Sequence, residues 1–393
     1  MPVLFEDLKF RTNLLPFTYT RHIADIRVGI LTIREKWDHD LDEQVYLISS
    51  SEMLSAKYSN TNSYLFINSS VLPTPDLCNE INALSEGACL KSDDIIVALK
   101  FKNPQTFDIS LADAAESVAV TSKVSLIQDR WDIFLQNEKE ISNDFERVTR
   151  GKVSASVSDT NVITGNPEHI FIDASATVEG AFLNPMSGRI YIGPNATVME
   201  GSCLRGSIAL CESATLKMGS KVYGASTLGP YVKCGGEVSN SVLFGYSNKA
   251  HDGFLGNSVI GEWCNLGADT NVSNLKNNYS EIKVWDYGAN HFRSSGLQFC
   301  GLSMGDHSKC GINTMFNTGT VIGVAANIFG GDFPPKFIPS FSWGSADGFK
   351  EFRLKEALKL AETVMARRSI KFDTTDKKIM KELFNSTKRY RKT

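Results

Sequence analysis

Residues 192–238 read IGPNATVMEGSCLRGSIALCESATLKMGSKVYGASTLGPYVKCGGEV, with an apolar residue at every sixth position. These positions are Ile192, Val198, Leu204, Leu210, Leu216, Val222, Leu228 and Cys234. Four places after each comes a small or β-branched residue, namely Ala196, Ser202, Ile208, Ala214, Ser220, Ser226, Val232 and Val238. A step of six fits neither an α-helix, with about 3.6 residues per turn, nor an alternating strand. It predicts a chain that turns a corner every six residues, the hexapeptide β-helix.

In such a β-helix, three hexads form a triangular coil of roughly 18 residues, and the coils stack as parallel strands. The apolar residue points inward, and the small residue lies near a corner where a larger side chain would clash. Further apolar ladder positions are Ile172, Val178, Ile260, Leu266, Met304, Cys310, Phe316, Ile322 and Ile328. Residues 183–190 and 272–297 break the period and are polar, so we expect them to be loops, where function tends to lie.

Composition excludes several classes of partner. The net charge is −3 and 22% of the residues are charged, which argues against nucleic acid or an anionic membrane surface. The first ten residues, MPVLFEDLKF, do not resemble a signal peptide, and no apolar run is long enough to span a bilayer. The eight cysteines form no CxxC pair, and the six histidines show no metal-ligand spacing. We therefore expect buried thiols in a cytoplasmic protein.

Differences in residue pattern predict that the chain has three parts. Residues 1–150 alternate apolar runs (45–48, 64–67 and 95–99) with helical stretches such as Pro75–Leu84 and Ile133–Val148, which predicts an α/β domain. Residues 151–331 form the β-helix. Residues 332–393 begin as an extended segment rich in Pro and Phe and continue as helices, with helical spacing over Ser345–Arg368 and Thr374–Tyr390.

The segment LLPFTYTRHIADIRVG, residues 14–29, resembles the start of the sugar-1-phosphate nucleotidyltransferases. That family has a glycine-rich loop, an Arg, a Pro-Lys-Pro stretch and a Val-Gly. Arg11 and Arg21 match it, but residues 5–10 contain no glycine and His22 to Ala24 replaces Pro-Lys-Pro. The resemblance implies a nucleotide contact for Arg11 and Arg21, and Mg²⁺ held in part by Asn137. Asn68-Ser69-Ser70 stands where the family ends a strand with a metal-binding Asp.

Residues 247–274 closely resemble the acetyltransferase half of the bifunctional bacterial enzymes that make UDP-N-acetylglucosamine. The spacing from His251 to Leu255-Gly256 and on to Asn265-Leu266-Gly267-Ala268 matches that family without a gap. The order of parts also matches: a nucleotidyltransferase-like domain, a linker helix, a hexapeptide solenoid and a C-terminal tail. The resemblance implies a left-handed parallel β-helix, acetyl-CoA as cosubstrate and a homotrimer.

The same resemblance assigns roles to single residues. His251 would be the general base that deprotonates an amino group as it attacks the thioester. Asn265 and Asn274 would contact the acceptor, while Ala268, Ile312 and Ala326 would contact CoA. Phe254 replaces the family's Tyr. The lysines that could hold an acceptor phosphate are Lys217, Lys221, Lys233, Lys249 and Lys283, of which Lys249 and Lys283 are the main candidates.

The sequence and the resemblance leave three possible functions. The first is acyl transfer to an amino-sugar phosphate or nucleotide by the β-helix. The second is Mg²⁺-dependent uridylyl or thymidylyl transfer to a sugar-1-phosphate by the first domain. The third is a non-catalytic trimeric scaffold that binds sugar nucleotides. The sequence favours the first and leaves open the sugar, the acyl group and whether the first domain is catalytic or degenerate.

Overall fold

The computed structural model describes residues 1–58 and 62–391, which form two compact units. Unit 1 contains Met1–Leu14, Thr20–Ile26 and Leu31–Asp132; unit 2 contains Leu15–Tyr19, Arg27–Ile30 and the chain from Ile133 onward. By its internal contacts the helix at 137–149 belongs to unit 2, and the domain boundary expected at residue 150 stays a prediction. Across these described residues, no helix is long and apolar enough to cross a membrane.

Unit 1 is an α/β domain built on a six-stranded sheet of order β2-β1-β3-β6-β5-β7. Its strands are β1 (Pro2–Phe5), β2 (Tyr46–Ile48), β3 (Ser63–Asn68), β4 (Val71–Leu72), β5 (Ala88–Ser92), β6 (Ile95–Gln105), β7 (Glu116–Ala119) and β8 (Ser125–Leu126); its helices are α1 (Leu8–Asn13), α2 (Ile33–Leu41) and α3 (Pro75–Ala83). The predicted α/β character is confirmed. One face of the sheet buries a cluster that includes Val3, Phe66 and Leu99.

Unit 2 consists mainly of short parallel strands. Helices α4 (Asp132–Leu135) and α5 (Asn137–Thr149) lead into it, and the strands follow as β9 (Val162–Ile163), β10 (Ile170–Ile172), β11 (Thr177–Val178), β12 (Phe182–Asn184), β13 (Ile190–Ile192), β14 (Thr197–Val198), β15 (Cys203–Arg205), β16 (Ile208–Leu210), β17 (Thr215–Leu216), β18 (Lys221–Tyr223), β19 (Ser226–Leu228), β20 (Lys233–Cys234), β21 (Glu237–Ser239), β22 (Val242–Leu243), β23 (Asn248–Lys249), β24 (Phe254–Gly256), β25 (Val259–Ile260), β26 (Asn265–Leu266), β27 (Asn271–Val272), β28 (Lys283–Asp286), β29 (His291–Ser294), β30 (Ser303–Met304), β31 (Lys309–Cys310), β32 (Met315–Phe316), β33 (Val321–Ile322), β34 (Asn327–Ile328), β35 (Phe337–Ile338), β36 (Ser342–Ser345) and β37 (Gly348–Glu351). The chain ends in α6 (Leu354–Ala366), α7 (Thr374–Ser386) and a 3₁₀ turn at Lys388–Tyr390.

These strands stack into the faces of a parallel β-helix, as the six-residue period predicts. One face is a nine-stranded sheet from β10 to β35 and a second is a ten-stranded sheet from β11 to β37. The third face is formed by a six-stranded sheet, β9 to β24, and by the pair β27–β32. Ile190 pairs with Ile208 and Ile208 with Ser226, each a step of 18 residues, which is the length of three hexads.

The predicted ladder forms the core of the β-helix. All of its apolar residues are buried, and so are the small residues four places later. Serines at the small position have a second role, because they donate hydrogen bonds to corner carbonyls. The hydroxyl of Ser202 lies 2.9 Å from the Lys217 oxygen, and that of Ser308 lies 2.7 Å from the Gly323 oxygen. A short hydroxyl therefore satisfies buried backbone where a bulky side chain would not fit.

The two predicted loops are partly different in the structure. Residues 183 and 184 belong to strand β12, and Leu183 is a core residue, so only 185–189 lie between strands. The break after Val272 is a true excursion, and it carries the antiparallel hairpin β28–β29. Helix α6 begins at Leu354, later than the predicted start, because residues 342–351 form the antiparallel pair β36–β37.

We predict that Leu228→Ala lowers the free energy of unfolding by about 2–5 kcal/mol, because it leaves a cavity in the β-helix core. Urea unfolding followed by circular dichroism measures the loss. Met186→Ala is the matched control, since the Met186 side chain is 74% exposed. Equal stability of the two variants would contradict the assignment of Leu228 to the core.

Candidate functional site

One corner of the β-helix brings His251 and Ala268 together. Asn248 pairs with Asn265 in the strand ladder, so His251 and Ala268, each three residues further on, occupy equivalent places in successive coils. They line an open pocket of about 550 Å³. The other lining residues are Lys217, Met218, Gly235, Gly236, Ala250, Asp252 and Asp269. We call this the His251 pocket.

Two groups in this pocket are available to a ligand. The His251 side chain is exposed, and within residues 1–58 and 62–391 its imidazole forms no hydrogen bond. The backbone N–H of Ala268 likewise has no acceptor in that part of the chain, although the Ala268 oxygen accepts from Asn313 N at 2.8 Å. A residue with an unpartnered base and a residue with an unpartnered backbone donor therefore line the same pocket.

Lys249 supports this corner from inside the β-helix. Its side chain is 2% exposed, and its ammonium donates to the oxygens of His251 at 2.6 Å and Asp252 at 3.2 Å. Burial lowers the pKa of this amine below its ordinary value. A contact between Lys249 and the acceptor, as expected from the resemblance, does not fit this geometry, because the buried amine is bonded to the backbone oxygens of His251 and Asp252. Lys249 instead holds the backbone of the His251 corner.

Asn265 lies in a different cavity from His251. This second cavity has a volume of about 330 Å³ and is also lined by Lys233, Tyr246, Asn248, Trp263, Val364, Arg367 and Arg368. Because the last three residues come from the end of α6 and the turn after it, we call it the α6 cavity. Asn265 and His251 thus lie on the same coils but face different spaces.

The remaining predicted residues of the β-helix are dispersed. Asn274 donates to the Asn257 side chain at 2.8 Å, and Lys283 is exposed on strand β28. Ile312 lies three residues after Lys309, the ladder partner of Asn265, so it continues the column of His251 and Ala268 with a side chain 68% exposed. Ala326 is fully buried in the core, so a CoA contact by its side chain does not fit the structure.

In unit 1, acidic residues occupy the place of the nucleotide-binding loop. Glu6 follows β1 and is buried, and it accepts from Arg11 at 2.5 Å, from Ile23 N at 2.9 Å and from the Ser49 hydroxyl at 2.7 Å. Burial raises the pKa of the Glu6 carboxyl, but His22, Arg11 and these hydrogen bonds outweigh it and hold the pKa below 4.5. The next residue, Asp7, caps α1. Arg11 therefore compensates a carboxylate rather than a phosphate.

Two further predicted groups of the first domain have structural partners. Arg21 is buried, and its backbone oxygen accepts from Arg11 at 3.4 Å. The Asn137 oxygen accepts from Gly29 N at 2.7 Å and from the Thr227 hydroxyl at 3.1 Å, while its nitrogen donates to the Ala225 oxygen at 3.0 Å. Asn137 thus uses its whole amide to attach residues 27–30 to the β-helix within unit 2.

The residues expected to hold Mg²⁺ do not fit that ion. Both acceptor positions of the Asn137 oxygen are occupied, and the Asn68 oxygen accepts from Ser70 N at 3.0 Å. Magnesium sites use carboxylate oxygens, and Asn68-Ser69-Ser70 supplies none. In the described chain, no three His, Cys, Asp or Glu side chains cluster as metal ligands.

Sequence reasoning missed an aromatic column beside the α6 cavity. The rings of Tyr231, Tyr246, Trp263 and His307 are nearly parallel, with successive centroids 5.0, 4.1 and 6.2 Å apart. Each stands three residues before an inward ladder position, namely Cys234, Lys249, Leu266 and Cys310. That regular spacing in the sequence could have revealed the column. The position of Arg367 and Arg368 beside it could not have been predicted from sequence, because it depends on where α6 packs.

Comparisons with known proteins agree with both halves of the chain. Residues 2–153 match the sequence model of a family described as sugar nucleotidyl transferase. A bifunctional sugar-1-phosphate nucleotidylyltransferase/acetyltransferase of Sulfurisphaera tokodaii is 26% identical over 317 residues, which cover 72% of this chain and 77% of the relative. The bifunctional protein GlmU of Paraburkholderia phytofirmans is 25% identical over 231 residues, covering 51% of this chain and 47% of that protein.

A solved structure, the UDP-N-acetylglucosamine acyltransferase from Campylobacter jejuni, aligns with 56% of this chain and 82% of its own, at 15% identity and a TM-score of 0.19. This chain spans about half the length of the GlmU protein from Paraburkholderia phytofirmans. The resemblance drawn from the sequence is confirmed: the chain is similar to bifunctional nucleotidylyltransferase/acetyltransferases. The names of these relatives are those of transferases, the expected enzyme class.

We predict that Glu6→Gln lowers the free energy of unfolding by about 3–5 kcal/mol, because it removes the carboxylate that pairs with the buried Arg11 guanidinium. Since folding lowers the pKa of Glu6, its contribution is present above pH 4.5 and is lost as the pH falls through the folded-state pKa. Denaturant unfolding between neutral pH and pH 3 measures both effects. Glu86→Gln, at an exposed position, should change neither the free energy of unfolding nor its dependence on pH. A Glu6→Gln protein as stable as wild type would refute the role of Glu6.

Proposed function

We propose that the β-helix transfers an acetyl group from acetyl-CoA to the amino group of a sugar phosphate or sugar nucleotide, with His251 as the general base. The observation that carries this proposal is the pairing in one pocket of an exposed imidazole and the N–H of Ala268, neither with a partner in the described chain. An acyl transfer needs both a proton acceptor and a donor for the oxyanion.

The reaction follows from these two groups. The acceptor nitrogen attacks the thioester carbonyl carbon, and its proton passes to the His251 imidazole. The carbonyl oxygen becomes an oxyanion and accepts a hydrogen bond from Ala268 N–H. When the tetrahedral intermediate collapses, the C–S bond breaks and the leaving sulfur takes the proton from the imidazolium. The products are the N-acetylated sugar and free CoA, and His251 returns to its starting state.

Charge around the His251 pocket suits an amine. Asp252 and Asp269 line it, so a cationic ammonium group is attracted to the place where His251 can remove a proton. Lys249 keeps the backbone of His251 and Asp252 in position through its two hydrogen bonds. Asn265 and Asn274 remain our candidates for acceptor contacts, and Lys283 is exposed and available to an acceptor phosphate.

We assign the reaction to the cytoplasm and the assembly to a homotrimer. All eight cysteines are free thiols, a state usual in a reducing compartment; seven are buried as expected, whereas Cys203 is exposed. The trimer is proposed from the family resemblance of the β-helix. In that arrangement, Ile312 and the other exposed apolar residues near the same corner, Met218 and Met315, would approach a second copy or the CoA chain. The proposed partners are small molecules, with neither nucleic acid nor membrane.

We predict that His251→Ala lowers kcat for acetyl transfer by roughly 10²–10⁴-fold, the usual contribution of a general base. The measurement is thiol release from acetyl-CoA with glucosamine-1-phosphate and with amino-sugar nucleotides as acceptors. His291→Ala, an exposed histidine on hairpin strand β29, should retain full activity. If the His251→Ala variant acetylates the same acceptors as wild type, and does so at the same rate, His251 is not the base.

The match of residues 2–153 favours a second candidate, transfer of a nucleotidyl group to a sugar-1-phosphate. The site argues against it. Glu6 and Asp7 stand where glycines would allow backbone N–H groups to approach the nucleotide phosphates, and two carboxylates repel such a ligand. We infer that unit 1 retains the fold of these enzymes without their reaction.

We therefore predict no pyrophosphate release when the protein is incubated with Mg²⁺, each of the four common NTPs and common sugar-1-phosphates. A coupled phosphate assay with inorganic pyrophosphatase measures it, and an active sugar nucleotidyltransferase serves as the positive control. Pyrophosphate that appears only in the presence of a sugar-1-phosphate would restore the second activity to unit 1.

A further inference from the structure

We propose that the α6 cavity binds the phosphates of a nucleoside phosphate. The cavity holds about 330 Å³ between the surface of the β-helix and the end of α6, which is room for a ligand rather than for a few waters. Three cationic side chains converge on it: Lys233 from strand β20, and Arg367 and Arg368 from the turn after α6. Several cations gathered around one cavity are a common receptor for phosphate groups.

These charges have no counterpart in the described protein. Neither Lys233, Arg367 nor Arg368 forms a side-chain hydrogen bond or ion pair within residues 1–58 and 62–391. Arg368 lowers the pKa of Lys233, with further contributions from burial, Lys217 and Arg367, so the amine experiences a net positive surrounding. The whole chain carries a charge of −3, which makes a local excess of cations more notable. An anion would relieve the repulsion.

The helix dipole explains only part of this cluster. Basic residues commonly follow the C-terminus of a helix, where they compensate its partial negative charge. That accounts for Arg367 and Arg368 at the end of α6. It does not account for Lys233, which projects from a β-strand whose preceding ladder partner is Thr215. The next two partners in that row, Asn248 and Asn265, add amides to the same cavity.

The neutral lining suits a nucleoside. The amides of Asn248 and Asn265 make no side-chain hydrogen bond within the described residues, so they can donate and accept at a sugar or base edge. Tyr246 and Trp263 present the edges of the aromatic column, and Val364 adds an apolar surface. Polar groups that orient a ligand therefore stand beside an apolar wall, the composition typical of small-molecule sites.

The position of the α6 cavity connects it to the proposed acyl transfer, on which this part of the inference rests. Asn265 in the cavity and Ala268 in the His251 pocket are three residues apart, at most about 11 Å along an extended chain. Lys217 lines the His251 pocket, and its positive charge also contributes to lowering the pKa of Lys233 in the α6 cavity. A molecule with its phosphates among the cations can thus place a reactive group near His251.

Two substrates contain this chemistry. One is a nucleotide-linked amino sugar, whose diphosphate would lie in the α6 cavity while its amine reaches His251. The other is acetyl-CoA, whose phosphorylated adenosine would occupy the cavity while its thioester reaches His251. Uridine diphosphate represents the first source and adenosine 3′,5′-bisphosphate the second.

The test is isothermal titration calorimetry of the full chain with uridine diphosphate, adenosine 3′,5′-bisphosphate and inorganic phosphate. We expect at least one nucleotide to bind, and Lys233→Met or Arg368→Gln to weaken it roughly tenfold or more through loss of a charge-assisted contact. Raising the salt concentration should weaken it further. Lys355→Met is the matched control, since Lys355 is exposed at the opposite end of α6 and does not line the cavity.

The outcomes separate this inference from the proposed reaction. Nucleotide binding that depends on Lys233 and Arg368 supports the site even if His251→Ala leaves acetyl transfer unchanged, and the preferred nucleotide identifies the source. No nucleotide binding, binding of inorganic phosphate alone, or equal affinity of wild type, Lys233→Met and Arg368→Gln would overturn the site while leaving the role of His251 to its own experiment.

Discussion

The hydrogen-bond ladder between successive coils is the constraint on which the rest of unit 2 depends. Each strand is only two to four residues long, so its stability comes from the coils above and below it. The ladder requires one inward apolar side chain per strand and a small residue near each corner. It also places equivalent residues of successive coils directly above one another, which turns a sequence repeat into columns on the surface.

These columns are how the fold produces sites. His251 and Ala268 form one column, and Tyr246 and Trp263, each five residues earlier in the sequence, form another. Neither needs a flexible loop, because the ladder holds the backbone beneath it. Unit 1 follows the opposite course. Its sequence matches a family described as sugar nucleotidyl transferase, while Glu6, directly after β1, is a buried carboxylate that accepts hydrogen bonds from Arg11 and from Ile23 N.

Much of the fold could be predicted because the six-residue period is strictly local. Ladder residues such as Leu228 and Ile322 are buried as expected, since the inward positions of a narrow β-helix are mostly apolar. The roles of His251 and Ala268 were expected from the family resemblance and stay predictions, while the structure shows that both residues line one pocket. The burial of Lys249 could not be predicted from spacing alone. A lysine is normally predicted to be exposed, and only the structure shows the carbonyl oxygens that its buried ammonium contacts. The α6 cavity depends on contacts between distant segments, which local patterns do not contain.

The excursion that carries hairpin β28–β29 has a consequence for how the β-helix assembles. Val259 pairs with Ser303, so the ladder crosses 44 residues at this step, whereas Ser303 to Val321 takes 18. Closing a longer loop costs more conformational entropy, and folding along a repeat array propagates from neighbour to neighbour. The step from β25 to β30 therefore carries a larger entropic cost of closure than the step from β30 to β33. The His251 corner lies on the N-terminal side of this step and Ile312 on the other, so the column of His251, Ala268 and Ile312 forms only once the longer step has closed.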